Sequence, residues 1–143
     1  MRHSIAGRST VAPTTVRASF SLFAVAATGG VIREVGVFNT TSIAVTLSLV
    51  RFTNASGVGA ALTKVDYDPN NISQMTGFAG HTTDGAVGSP FRQVILAPAV
   101  GSGVIWTFGD NGIRINSGTA NGIGIICPIG TGQVLEYYMD WDE

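Results

Sequence analysis

Isoleucine and valine outnumber leucine 27 to 6 in this chain, while glutamate and lysine together number only four. Side chains branched at Cβ are stiff at χ1 and pack well on a pleated surface, and the straight-chain residues that favour helices are scarce. The composition restricts the chain to strands, and the local pattern agrees. Between Val16 and Ala24 the residues Val16, Ala18, Phe20, Leu22 and Ala24 fall on one side of a strand. Between Ile43 and Leu49, Ile43, Val45, Leu47 and Leu49 alternate with Ala44, Thr46 and Ser48. A period of two with one apolar side is the signature of a half-buried antiparallel sheet.

Turn residues recur along the whole chain, at Thr28–Gly30, Asn39–Ser42, Asn54–Gly57, Asp68–Asn71, Gly101–Gly103, Asp110–Gly112, Ser117–Gly118 and Gly130–Gly132. They separate strands expected near 4–8, 15–25, 31–38, 43–53, 60–66, 91–97, 103–108, 112–116, 121–127 and 133–141. The clearest hairpin signal is Val104–Phe108, a Gly-Asp-Asn-Gly turn, then Ile113–Ile115, because Asp-Asn and Asn-Gly tolerate the positive φ of tight loops. Residues 67–90, rich in Asn, Gly, Ser and Thr, read as one long irregular loop. The expected fold is all-β, a β-sandwich of jelly-roll type with about ten short antiparallel strands. Residues 1–14 are expected to be an N-terminal arm and 15–143 a single sandwich domain, a length that suits one core.

Charge is the second constraint. Only 12% of the 143 residues are charged and the net charge is −1, against about 25% charged in an ordinary soluble domain. Charge keeps free-standing domains dispersed, so part of this surface is expected to be covered by other protein. Eight basic residues scattered from Arg2 to Arg114 do not make the concentrated patch that nucleic acid demands. No apolar run approaches the roughly 20 residues that cross a bilayer, and Ser19 and Ser21 break the one stretch resembling a secretion leader. Cys127 is alone, which excludes an intrachain disulfide, and its apolar setting reads as a buried small side chain.

Catalytic chemistry has few places to reside. His3 lies near a terminus expected to be mobile, and His81 sits in a Gly-rich stretch with Asp84 three residues on. A Ser-His-Asp arrangement built on His81 lacks a nucleophile-elbow pattern, so a solvated loop histidine is expected there. Asp66-Tyr67-Asp68-Pro69-Asn70 opens like a calcium loop, but Asn71 and Gly77 stand where an EF-hand needs Gly and Glu. Adjacent Arg33 and Glu34 in a strand are expected to face opposite sides. Glu34 and Glu136 are a carboxylate pair whose use in glycoside hydrolysis depends on their separation. The C-terminal strand puts Leu135, Tyr137, Met139 and Trp141 on one face and Val134, Glu136, Tyr138 and Asp140 on the other. Its aromatics suit a core, a subunit contact or a saccharide platform.

Gly30–Thr41, Gly103–Ile115 and Asn121–Gly132 together resemble, in texture, small structural proteins of tailed bacteriophages, especially jelly-roll capsid decoration (cement) proteins. The likeness is one of style and size over most of the chain, with no motif of invariant chemistry. It implies a non-enzymatic virion protein without cofactor or metal, made in the host cytoplasm and carried on the capsid surface. Its partners would be the major capsid protein, whose subunit contacts it stabilises, and copies of itself, often as a trimer. Arg2, Arg8 and Arg17 of the basic N-terminal region and the aromatics Tyr137, Tyr138 and Trp141 are the expected interface residues. The alternative is a receptor- or carbohydrate-binding sandwich of a tail fibre, or another tail or head-completion protein.

Overall fold

Alternation along the strands fills a space between two sheets. A computed structural model describes residues 1–54 and 59–143, and among these residues there is no helix. The turn expected at 54–57 falls largely outside the described residues. One sheet has the order β5 (Val65–Asp66), β1 (Arg2–Arg8), β11 (Leu135–Asp142), β3 (Gly30–Asn39), β8 (Gly103–Thr107), with β9 (Ile113–Ile115) also paired to β3. The other has the order β6 (Thr76–Ala79), β2 (Phe20–Phe23), β10 (Gly122–Ile126), β4 (Val45–Phe52), β7 (Val87–Leu96). All pairings are antiparallel. The described residues form an all-β sandwich of eleven strands.

Most inward residues are ones that alternation selects, but Ile43, ahead of β4, is 57% exposed, and Ala18 packs apart from Phe20 and Leu22. Val45, Leu47 and Leu49 of β4, Ile123 and Ile125 of β10, and Leu135, Tyr137, Met139 and Trp141 of β11 are all buried in one core. The Phe20 ring stacks on Tyr137 across the two sheets with centroids 3.9 Å apart. Each fully buried side chain of this size contributes roughly 1.5–3 kcal/mol. The partners nest along the chain: β4 pairs β7, β3 pairs β8, β2 pairs β10 and β1 pairs β11.

The N-terminal arm is corrected by this arrangement. Residues 2–8 form a strand inside the six-stranded sheet, in register with β11 from Arg2↔Asp142 to Arg8↔Glu136. Ile5 and His3 are fully buried. Of the alternating His3, Ile5 and Gly7 only the first two are buried, and the ladders to β11 and β5 hold the segment in the sheet. Tyr137 and Trp141 face inward at 4% and 0% exposure, so neither is a surface anchor.

The hairpin expected at 104–115 is also corrected. β8 and β9 do not pair with each other; both lie along β3, β8 opposite residues 34–38 and β9 opposite residues 30–32. Residues 108–112 are a loop thrown out of one long interrupted strand. Gly109 and Gly112, both at φ near +60°, supply the reversal. The 67–90 segment is not wholly irregular, since it contributes β6 and the start of β7. Residues 67–75 bond to Arg2, Asp66 and Glu143 beside the six-stranded sheet, whereas residues 80–86, with residues 13–18, cover the outer side of the five-stranded sheet. There Ala18, Phe23, Val50, Phe52 and Ile126 form a second small core with Phe78 and Val87.

Because β1 is an internal strand, deleting residues 1–8 is expected to abolish cooperative unfolding and leave an insoluble chain. A urea melt of the truncated protein with a wild-type midpoint would contradict this placement.

Candidate functional site

The outer side of the six-stranded sheet is open, and its chemistry begins at Arg33. Arg33 is the extra residue on β3: Glu34 pairs Asp140 and Ile32 pairs Trp141 on one side, while Glu34 pairs Thr107 and Ile32 pairs Ile113 on the other. A bulge bends a strand and redirects its side chains. Here it turns Arg33 to the same outer face as Glu34, which corrects the expectation that the two face opposite sides. Arg33 Nε lies 2.6 Å from Asp142 Oδ2, and Nη1 donates to the carbonyls of Gly109 (3.1 Å) and Asp110. The thrown-out loop is thereby tied to the sheet.

Asp142 also accepts from Arg2 Nε at 2.8 Å. Burial alone would raise the Asp142 carboxyl, but the bonds from Arg2 and Arg33 outweigh it and hold it below the usual carboxylate range. Arg2, Arg33, Glu34, Thr107, Gly109, Asp110 and Asp142 line one open pocket. Beside it the Tyr138 ring lies flat against Gly36, where a Cβ would come within 2.1 Å of the ring. The Tyr138 hydroxyl donates to Glu34 Oε1 at 2.6 Å. Desolvation and that carboxylate together push the phenol above its ordinary value. Across the ladder Glu34 stands directly opposite Asp140, which accepts the Tyr67 hydroxyl at 3.3 Å.

The expected residues are thus distributed over separate places. Arg2 belongs to the Asp142 clamp, whereas Arg8 pairs with Glu136 at 2.7 Å and Arg17 with Asp84 at 2.8 Å. None of these three arginines is a free cation on an arm. Glu34 and Glu136 share the outer face but stand four ladder positions apart, Glu136 being opposite Phe38. That is about 13 Å of strand, beyond the range for an acid pair in glycoside hydrolysis.

Both histidines are buried, which corrects the mobile and solvated settings expected for them. His3 Nδ1 donates to Asp66 Oδ1 at 2.7 Å, and its Nε2 is 3.8 Å from Glu143 Oε2. The Asp66 carboxyl is lowered first by the Ser73 backbone N–H and then by His3. Asp66 is therefore spent on the β1–β5 junction, and Asp68 caps its own turn through Asn70 N at 2.9 Å. Among the described residues no group of three His, Cys, Asp or Glu is placed to hold a metal ion. His81 Nε2 lies 2.7 Å from Ser21 Oγ. Ser21 is fully buried, and the imidazole packs on Phe52 and Phe23. Asp84, the third member that sequence suggests, is bound to Arg17 instead. Among the described residues no group bonds the other imidazole nitrogen, Nδ1. Cys127 is buried, and burial raises its thiol.

Comparison with known proteins finds no matching protein-family model, no matching curated protein and no matching solved structure.

Burial lowers the His81 pKa from 6.5 to about 4. The unfolded chain binds a proton below pH 6.5 that the folded chain refuses until about pH 4. The stability that neutral His81 contributes is therefore complete above pH 6.5 and is lost as pH falls toward 4, by on the order of 3 kcal/mol. Urea melts across this window are expected to show that slope in the wild type. His81→Gln, which keeps a partner for Ser21 but cannot titrate, is expected to flatten it.

Proposed function

We propose that this chain is a non-enzymatic structural protein of a tailed-bacteriophage virion, a decoration (cement) protein on the outer shell that stabilises contacts between major capsid subunits. The observation that carries the reading is the nested pairing of β4–β7, β3–β8, β2–β10 and β1–β11 in two sheets. We read it as a jelly roll, an architecture shared by viral capsid and lectin domains. Large apolar side chains stand exposed at the rims: Val65, Tyr67 and Ile72 by β5, and Ile95, Val100 and Ile105 by β7 and β8. A chain with 12% charged residues has little else to solvate those rims, and contact with other protein covers them. The partners in this reading are the major capsid protein and sister copies in a trimer, with no nucleic acid, membrane or cofactor. The histidines serve the packing of the sandwich, with Ser21–His81 under the cover of the second core and His3 at the β1–β5 junction.

A carbohydrate-binding tail-fibre module is the second reading. It is favoured by the Tyr138 ring on the open sheet face and by Glu34 and Asp140, each accepting a tyrosine hydroxyl.

Sedimentation of the purified protein with empty shells of the same phage's major capsid protein separates the two. Saturable co-sedimentation, with no signal on a glycan array, is the expected result. Protein that stays in the supernatant at every concentration and salt would overturn the decoration reading, and saccharide binding abolished by Tyr138→Ala would establish the second.

A further inference from the structure

Four of the seven arginines, Arg2, Arg8, Arg17 and Arg33, hold carboxylates within 2.8 Å. Among the described residues Arg51, Arg92 and Arg114 form no ion pair, and they gather on one flank, where β7 ends one sheet and β8 and β9 end the other. Arg51 reaches across from β4: its Cζ is 5.2 Å from the Phe91 ring centroid, and its Nη2 donates to the Arg114 carbonyl at 2.9 Å. Arg92 Cζ is 5.4 Å from the Phe108 ring centroid. Cations over aromatic faces gain most when desolvated. Further along the same edge strands Ile95 and Ile105 are 73% and 53% exposed, with Val100 in the connection from β7 to β8. The nearby Asp110 instead lines the Arg33 pocket on the sheet's outer face.

The opposite flank has the complementary character. The chain is −1 overall, so everything outside those three arginines sums to −4. Around β5, Val65, Tyr67 and Ile72 are exposed. Among the described residues Asp68 and, on β11, Asp140 form no ion pair; Asp68 accepts the Asn70 amide and Asp140 the Tyr67 hydroxyl, while Lys64 beside β5 donates to the carbonyls of Ser73 and Met75. The three arginines thus lie on β4 and β7 of one sheet and β9 of the other, and the carboxylates Asp68 and Asp140 lie toward the β5 side of the six-stranded sheet.

We infer that the β7–β8–β9 flank of one copy docks on the β5 flank of the next copy of this chain, a head-to-tail contact that builds a closed ring. A two-fold contact through the basic flank alone would set three arginines against three arginines. A heterologous contact avoids that and closes into a ring where its rotation permits. A stable contact of this kind buries about 800 Å² per partner, roughly an eighth of the 6481 Å² surface. The inference deepens the assembly reading above by naming which surfaces meet, and it rests on that reading for the trimer.

The test uses the full chain at micromolar concentration in native mass spectrometry and sedimentation equilibrium, at low and high salt. Arg92 and Ile72 are both exposed, so Arg92→Glu and Ile72→Arg are expected to keep wild-type far-UV spectra and melts. Each is expected to weaken self-association about tenfold or more. A mixture of the two retains one intact pair of flanks and is expected to give a one-to-one dimer that grows no further. A monomeric wild type, unchanged oligomers in both variants, or a mixture without that dimer would overturn the inference. Loss of shell binding in Arg92→Glu with self-association intact would also overturn it, assigning the flank to the capsid and leaving the decoration reading in place. The expected dimer pattern without shell binding would support this contact and overturn only the decoration reading.

Discussion

The ladder between β1 and β11 is the constraint on which the rest of the sandwich depends. It joins the two ends of the sequence, Arg2 to Asp142 through Arg8 to Glu136, and puts β11 between β1 and β3. The Met1 amino group donates to the Glu143 carbonyl at 2.9 Å, and the Glu143 amide returns to the Met1 carbonyl at 3.1 Å. Arg2 and Arg33 then clamp Asp142 from both neighbouring strands. Directly beneath the clamp Trp141 is fully buried. Contacts so distant in sequence carry the full loop-closure cost before they return anything. Three deeply buried side chains, Ile5, Met139 and Trp141, offset that cost at the seam.

The same seam organises the surface. Once Arg2, Arg8, Arg17 and Arg33 are engaged within the chain, the arginines without an ion pair among the described residues are Arg51, Arg92 and Arg114, while the Lys64 ammonium is bonded to the carbonyls of Ser73 and Met75. Both histidines are withdrawn into packing. Ser21 and His81 lie under the second small core, and His3 fastens β1 to β5 through Asp66. What remains outward is an open sheet face with carboxylates and tyrosines, and two rims of opposite charge with exposed aliphatic side chains.

Much of the fold is legible in the sequence because period-two alternation marks β2, β4, β10 and β11 directly. The burial of Phe20, Leu47, Ile123 and Met139 follows from it. The N-terminal strand is hidden because it is polar on one side and glycine-containing, so its two buried residues do not distinguish a strand from an arm. The Asp110–Gly112 turn signal is real, but a loop extruded from a strand and a hairpin use the same positive-φ glycines. Only the register on β3 tells them apart. For the candidate site, Glu34 and Tyr138 stand out as residue types, yet their joining depends on the bulge at Arg33 and on Gly36 admitting the ring. Nothing in the sequence marks Asp140 as the neighbour of Glu34. His81 looks solvated from its Gly-rich surroundings, because the segment's role as a cover over Phe23 and Phe52 is set by tertiary packing.

The central claim, that the chain's two ends form one structural seam, is tested most directly by native-state hydrogen exchange. The account predicts that the amides of Arg2–Arg8 facing β11 exchange only through global unfolding, with the same free energy as the buried amides of β11 and β3. Fast exchange confined to residues 1–8, with β11 and β3 still protected, would contradict it.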